Sequence, residues 1–329
     1  MNLYRPGAVP WAWSQLLYHA LPRLGREGLV LCRPDAPYVC TGYHQDLAWE
    51  VDLDHCRARD IPVFRREVAG GTVYLDGRQV FYQLVLHRRS PAVPLGPDAF
   101  FRRFLSPVVE ALESLGLQAR IAPPCDIQVG GRKISGNGAG EIGDYVVLVG
   151  NLLLDFDFGA MARVLALPGE PVREVVRGEM ERALTTLARE LPEPPAPEAV
   201  EEALARAFAR ALPGLGPGAL DPGLREKVRE LEPVFLSPGW LLEPGRRLPY
   251  REVKIAEGTV VYAVARGGAP PLVIVTRRGR VAAVRCGRAP VDGGRFLGRR
   301  LLVDRLRARV LPGRAPPGSA GGLLSEVTA

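Results

Sequence analysis

The 329-residue sequence is short of cysteine and histidine and has no long apolar run, and each shortage closes off a class of protein. Its five cysteines (Cys32, Cys40, Cys56, Cys125 and Cys286) are odd in number and none falls in a CxxC pair. That argues against a disulfide framework and against a zinc site. The four histidines, His19, His44, His55 and His87, have no metal-ligand spacing, and only His44, in a Gly-x-x-Gln turn, has a claim on a site. No stretch approaches the roughly 18 apolar residues of a membrane span. The N-terminus lacks the charged, apolar and small-residue segments of a secretion signal. A soluble cytoplasmic protein is the expectation, with no membrane partner. The 43 Lys and Arg exceed the 36 Asp and Glu, but the excess of +7 is scattered, with no basic block. No recognition motif accompanies it, so nucleic acid is not an expected partner.

What the sequence does have is a core: 47% of its residues are hydrophobic, in a chain long enough for two domains. Short apolar runs at Leu29–Cys32, Tyr38–Tyr43, Ile61–Arg66, Thr72–Leu75 and Val80–Leu86 read as strands, the last two joined by the Asp76-Gly77 turn. Phe100, Phe101, Phe104, Leu105, Val108, Val109 and Leu112 recur at helical spacing over Asp98–Leu115. Ile127–Val129 and Lys133–Ser135 flank Gly130-Gly131 as a second hairpin, and Tyr145–Phe156 is a long apolar strand. Helices are expected at 158–165 and 174–190. This is α+β, a mixed β-sheet with flanking helices. Prolines 192, 194, 195 and 197 mark a composition change. The expected division is a first domain over 1–190, a helical linker over 191–230, a small α+β accessory domain over 231–311 and a mobile Pro/Gly-rich tail over 312–329.

Two segments carry chemistry. Arg65-Arg66 leads into Gly70-Gly71 and Thr72-Val73-Tyr74. Paired glycines let a backbone approach a ligand, their N–H groups can hold an anion or a carbonyl, and an Arg adds a forked donor. The other segment runs from Cys125-Asp126-Ile127 through Gly130-Gly131-Arg132-Lys133-Ile134-Ser135-Gly136-Asn137 to Gly140. A Lys in such a setting suits contact with a phosphate and an acyl oxygen where charge develops. The Gly-rich run beside it leaves room for a chain-like ligand. Val149-Gly150-Asn151, with Asp155 and Asp157 beyond, lies on the strand that would pair nearby.

These residues resemble the lipoate–protein ligase family, relatives of the octanoyltransferases and biotin ligases. Arg65-Arg66-x-x-Ala69-Gly70-Gly71-Thr72-Val73-Tyr74 is similar to that family's Arg-Arg-x-Ser-Gly-Gly-Gly-Ala-Val-Tyr loop. Asp126-Ile127 with Gly131-Arg132-Lys133-Ile134-Ser135-Gly136 resembles its Asn-Asp-(Ile/Leu) and Lys-(Ile/Val)-Ser-Gly segment, and Gly42-Tyr43-His44-Gln45 its Gly-x-x-Gln turn. The two main motifs stand about sixty residues apart, in the family's order. Val253-Lys254-Ile255-x-x-Gly258 resembles the accessory domain more loosely. The resemblance implies a biotin/lipoate ligase-like catalytic domain with Lys133 as the catalytic residue. Arg66, Gly70, Gly71, Thr72, Val73, Tyr74, Asp126, Ser135, Gly136 and Asn137 would hold the acyl-adenylate. It implies lipoate or octanoate as substrate, ATP with Mg²⁺, and lipoyl-domain acceptors of the 2-oxoacid dehydrogenase E2 or glycine-cleavage H-protein type.

The match departs from the family pattern in places. Ala69 replaces a Gly of the loop, Val149 stands where relatives carry His, and Cys125 stands where ligases have Asn. Three readings stay open. One is an ATP-dependent ligase. Another is a transferase taking its acyl group from an acyl carrier protein without ATP, for which Cys125 is the nucleophile candidate. The third is a non-catalytic acyl-binding relative.

Overall fold

The computed structural model describes residues 1–291, 295–310 and 319–329. Its centre is an eight-stranded mixed sheet. In order across the sheet lie Gly216–Gly218, Asn2–Val9, Gly28–Pro34, Gln79–His87, Tyr145–Leu153, Arg132–Ile142, Asp126–Val129 and Ala119–Ala122. The Asn2–Val9 strand is parallel to both its neighbours; every other pairing in this sheet is antiparallel.

Strand periodicity decides which way the central sheet faces. Val80, Tyr82, Leu84 and Leu86 enter one apolar cluster, whereas Phe81 and Val85 enter another on the opposite face. The first face is covered by the helices Pro97–Ser114 and Pro197–Ala211, which bring Phe104, Val108 and Leu112 against Val200, Leu204 and Phe208. Pro97 opens the longer helix, where a missing N–H costs nothing. Past its end Gly116 takes φ +88, and the N–H groups of Gly116 and Leu117 bond back to Glu113 and Leu112. The second face carries the helices Trp13–Arg23 and Pro222–Phe235. Against it lies a small three-stranded sheet, Val63–Arg65, Tyr38–Thr41 and Val73–Leu75.

The expected linker over 191–230 is corrected by this packing. Val200, Ala203, Leu204, Ala207 and Phe208 are buried in the first core, Gly216–Gly218 extends the central sheet, and Leu224 and Val228 enter the second core. An amphipathic helix has an apolar stripe to bury, and the exposed face of the sheet is the nearest surface that accepts one.

The accessory domain is a five-stranded antiparallel meander: Arg251–Ala256, Thr259–Arg266, Ala269–Arg277, Arg280–Cys286 and Ala289–Pro290. Both its faces are covered. Val261, Ala263, Val273 and Val275 join a core shared with Val39, Leu47, Met161 and Val176 of the first domain. Tyr262, Val264, Leu272 and Ile274 face the helices Val303–Arg309 and Ala320–Val327 through Leu306, Leu323, Leu324 and Val327. The mobile tail expected from 312 is therefore corrected over 319–329, where an anchored helix forms; residues 312–318 lie outside the described residues. Among the described residues no helix is long and apolar enough to cross a membrane.

Candidate active site

A cavity of about 360 Å³ opens between the central sheet, the small sheet and the first hairpin of the accessory domain. It gathers most of the residues singled out in the sequence. Arg66, Gly70, Gly71, Thr72 and Val73 line one wall, and Cys125, Asp126, Lys133, Gly136 and Asn137 line the other.

The Lys133 wall is a strand, because the segment expected to end at Ser135 continues to Ile142 and pairs in regular register with Tyr145–Leu153. Its backbone is pinned on the far side, where Lys133 O accepts from Thr185 N at 2.8 Å. The side chain crosses Gly136: a Cβ there would stand 3.0 Å from Lys133 Cε and 3.1 Å from Nζ. Nζ ends 2.8 Å from Asp126 Oδ1, and that carboxylate is almost wholly buried, with 3% of its side chain exposed. Asp126 Oδ2 accepts at 2.7 Å from the backbone N–H of Glu257, in the accessory domain. Glu257 Oε1 is in turn 2.6 Å from Lys254 Nζ.

The Gly-loop wall is shaped by Arg66. Its Nη2 donates to Ala69 O at 3.2 Å and Gly71 O at 3.0 Å, and its Nη1 to Cys40 O at 3.4 Å. This guanidinium braces the loop from within, so its contribution to a ligand passes largely through the loop's shape. Neighbouring Arg65 is also committed, to Tyr43 O, Trp240 O and Glu243. Gly70 takes φ +123, and Gly42 packs against it so closely that a Cβ on Gly42 would stand 2.2 Å from Gly70 O.

Two expected residues lie behind the walls. Tyr74 is buried, its N–H directed to Met161 Sδ at 3.1 Å. Ser135 is buried and 2.6 Å from Tyr82 OH, which also bonds Asn137 Oδ1. Ser135 and Tyr82 support Asn137, whose Nδ2 reaches Cys125 O at 2.8 Å. His44 is exposed and lies outside this cavity.

The electrostatics separate the candidates. Burial, reinforced by the Asp126 and Glu257 carboxylates, pushes the Cys125 thiol up to about 11. Its Sγ is 3.8 Å from Glu257 Oε1, so a thiolate would form beside two negative charges. Burial also pushes the cavity-lining Glu50 carboxyl up to about 7, against the opposing pull of Arg251. Two buried polar atoms on cavity-lining residues, Thr72 Oγ1 and Gln83 Oε1, have no protein partner, as is common where a ligand or water completes a site.

Cys125, Asp126 and Glu257 are the one group of three or more His, Cys, Asp or Glu side chains among the described residues whose ligand atoms converge, within 4.8 Å. The set does not fit Mg²⁺: both Asp126 oxygens and Glu257 Oε1 are engaged, and a thiol is a poor partner for a hard cation. Asp155 and Asp157 face Arg78 at 3.8 Å each, and Asp157 caps the helix Phe158–Val164.

Motif reading missed Gln15, Gln83, Glu50 and the accessory-domain Glu252, Lys254 and Glu257, all of which line the cavity. Only Lys254 carried a signal, within the loosely matched accessory motif.

The central sheet thus carries a cavity walled by a lysine-bearing strand and a glycine loop, with a second sheet domain appended. Residues 6–209 match the model of the lipoyl protein ligase A/B catalytic domain, and the chain belongs to that family of enzymes. It is similar to the octanoyltransferase LipM of Kyrpidia tusciae, 30% identical over 63% of this chain and 83% of that one. Lipoate–protein ligase 1 of Staphylococcus aureus is 30% identical over 42% of this chain and 41% of its own. The fold is also that of the bipartite lipoate protein ligase of Thermoplasma acidophilum, with a TM-score of 0.66 at 23% identity, covering 75% of this chain and 97% of the other.

Proposed function

We propose that this enzyme attaches a lipoyl or octanoyl group to a lysine of a lipoyl-domain protein, through an acyl-adenylate made from ATP. The observation that carries this reading is the Lys133 ammonium, held on Asp126 in the same cavity as the Gly70-Gly71 backbone. The names of the relatives, ligases and octanoyltransferases, support the same acyl chemistry.

In the first step a carboxylate oxygen of lipoate or octanoate attacks the α-phosphate of ATP, and diphosphate leaves. In the second, the ε-amine of the acceptor lysine attacks the acyl carbonyl, an amide forms and AMP leaves. Charge develops on the phosphate and then on the acyl oxygen, and Lys133 would stabilise both. The Gly70-Gly71 backbone and Thr72 hydroxyl would orient the anhydride, while Phe81, Leu75 and Val149 line an apolar part of the cavity suited to an acyl chain. Mg²⁺ would offset charge on the nucleotide phosphates, and no step requires the protein to ligate it.

A second reading, transfer from an acyl carrier protein without ATP, is favoured by the LipM relatives and by Cys125 lining the cavity. The raised thiol weighs against it. The deciding experiment weighs an unmodified lipoyl domain after incubation with the enzyme. One sample holds ATP, Mg²⁺ and octanoate or lipoate; the other holds octanoyl carrier protein alone. A mass gain in the first is expected. A gain in the second alone would replace the adenylate route with the carrier route, and none in either would overturn the proposal.

A further inference from the structure

The chain of contacts from Lys133 does not stop at the first domain. Asp126 is a nearly buried carboxylate whose Oδ1 holds Lys133, and the N–H that satisfies its Oδ2 comes from Glu257. Glu257 and Gly258 form the turn between the strands Arg251–Ala256 and Thr259–Arg266. The hairpin behind that turn is anchored, since Ile255, Val261 and Ala263 belong to the core shared with the first domain. The tip is therefore a fixed part of the cavity wall.

We infer that Glu257 is a positioning residue for Lys133, acting through Asp126, and that Lys254 keeps the Glu257 side chain from competing for that lysine. The inference rests on Lys133 being the reacting-centre lysine proposed above.

A buried carboxylate with one oxygen unsatisfied is costly and free to turn; with both oxygens engaged its direction is fixed, and so is the ammonium that it holds. The Glu257 carboxylate also lies in the cavity, 3.8 Å from Cys125, which neighbours Asp126 in sequence. Left unpaired it would offer Lys133 a second anion. Lys254 at 2.6 Å neutralises it, giving a row in which two adjacent carboxylates are flanked by two ammonium groups: Lys133, Asp126, Glu257, Lys254. The catalytic lysine is thus oriented from the accessory domain.

The turn permits a clean test. Glu257 is not among the residues with positive φ, Gly258 has φ +80, and Ala256 is extended, a pattern that accepts Pro-Gly. Glu257→Pro removes the N–H and the carboxylate and puts Cδ where the N–H met Asp126 Oδ2, breaking the contact outright; Glu257→Ala removes only the carboxylate. With the donor that the wild type accepts, kcat for acyl transfer to a lipoyl domain should fall at least about tenfold further in the Pro variant than in the Ala variant, with KM for the lipoyl domain unchanged. Equal kcat in the two would overturn the inference. Should the Pro variant fail to fold, a charge swap decides: Lys254→Glu and Glu257→Lys singly should each lower kcat, and the double swap should restore most of it. Failure of the double swap to recover activity would then count against the row. Amide hydrogen exchange reads the contact without any turnover: Asp126→Ala should speed exchange at Glu257, and unchanged exchange refutes the contact. A wild type that transfers nothing but keeps a protected Glu257 amide would sink the proposed function and leave the contact standing.

Discussion

Two glycine-rich segments face each other across the cavity and use glycine for different physical reasons. In the Glu67–Val73 segment glycine serves conformation: Gly70 takes φ +123, and Gly42 comes backbone to backbone against it. In the Gly136–Gly140 segment the backbone is an ordinary strand, and glycine serves clearance. Lys133 lies over Gly136, while Gly138 and Gly140 make room for Ala69 and Val68 of the opposite wall. The same residue type thus marks a braced loop on one side and a smooth floor on the other. The lysine needs the floor, and the loop needs Arg66.

Lys133→Ala tests whether the floor exists for the lysine, and carries the largest expected effect. Acyl transfer followed by intact mass should fall by about 100-fold or more, as when a charge-stabilising group is lost, with the fold retained by circular dichroism although the melting temperature drops because Asp126 loses its ion partner. A near-normal rate would leave Gly136 with no functional purpose. Gly70→Ala tests conformation. The new Cβ would stand 2.6 Å from Arg66 Nη2 on a backbone that L-residues avoid, so denaturant unfolding should show a loss of about 1–3 kcal/mol. Gly71→Ala, with nothing within 4 Å of its Cβ, is the matched control and should leave the unfolding free energy nearly unchanged.

Gly136→Ala separates clearance from conformation. Its Cβ would press on the flexible end of Lys133 and meet Asn151 Oδ1 at an ordinary 3.6 Å, so stability should hold within about 1 kcal/mol while transfer drops roughly tenfold through the displaced ammonium. A stability loss as large as that of Gly70→Ala would erase the distinction. The smallest effect is expected at Cys125. With its thiol near 11, the thiolate is scarce at neutral pH, and iodoacetamide labelling of its peptide should keep rising beyond pH 10 instead of levelling near 9. Cys125→Ser should leave ATP-driven transfer within about twofold, and a collapse would turn this wall into a nucleophile's site.

Much of this was legible in the chain because it is local. The continuous apolar run from Val80 to Leu86 marks a strand buried on both faces, and the helical spacing from Phe100 to Leu112 states which side of the helix is buried. The paired motifs around Gly70-Gly71 and Lys133 locate both walls. Other features were hidden because they depend on partners distant in sequence. The edge strands at 119–122 and 216–218 are short and weakly patterned, and exist because a neighbouring strand offers a ladder. The Gly-rich run after Ser135 has no β propensity and becomes a strand because Tyr145–Leu153 pairs with it. Helix 170–183 breaks before Leu187, where Lys133 O takes the Thr185 N–H.

By itself the sequence determined the α+β class, the family and the lysine and loop on which the proposed chemistry turns, since each is written in a short stretch of neighbouring residues. Tertiary structure alone decided that Arg66 braces the loop, that Tyr74 and Ser135 stand behind the walls, and that the last helix closes the accessory domain's outer face. It also decided that Asp126 meets Glu257 across 131 residues of chain. A buried carboxylate must find its hydrogen bonds wherever the fold supplies them, and sequence spacing places no limit on where that is.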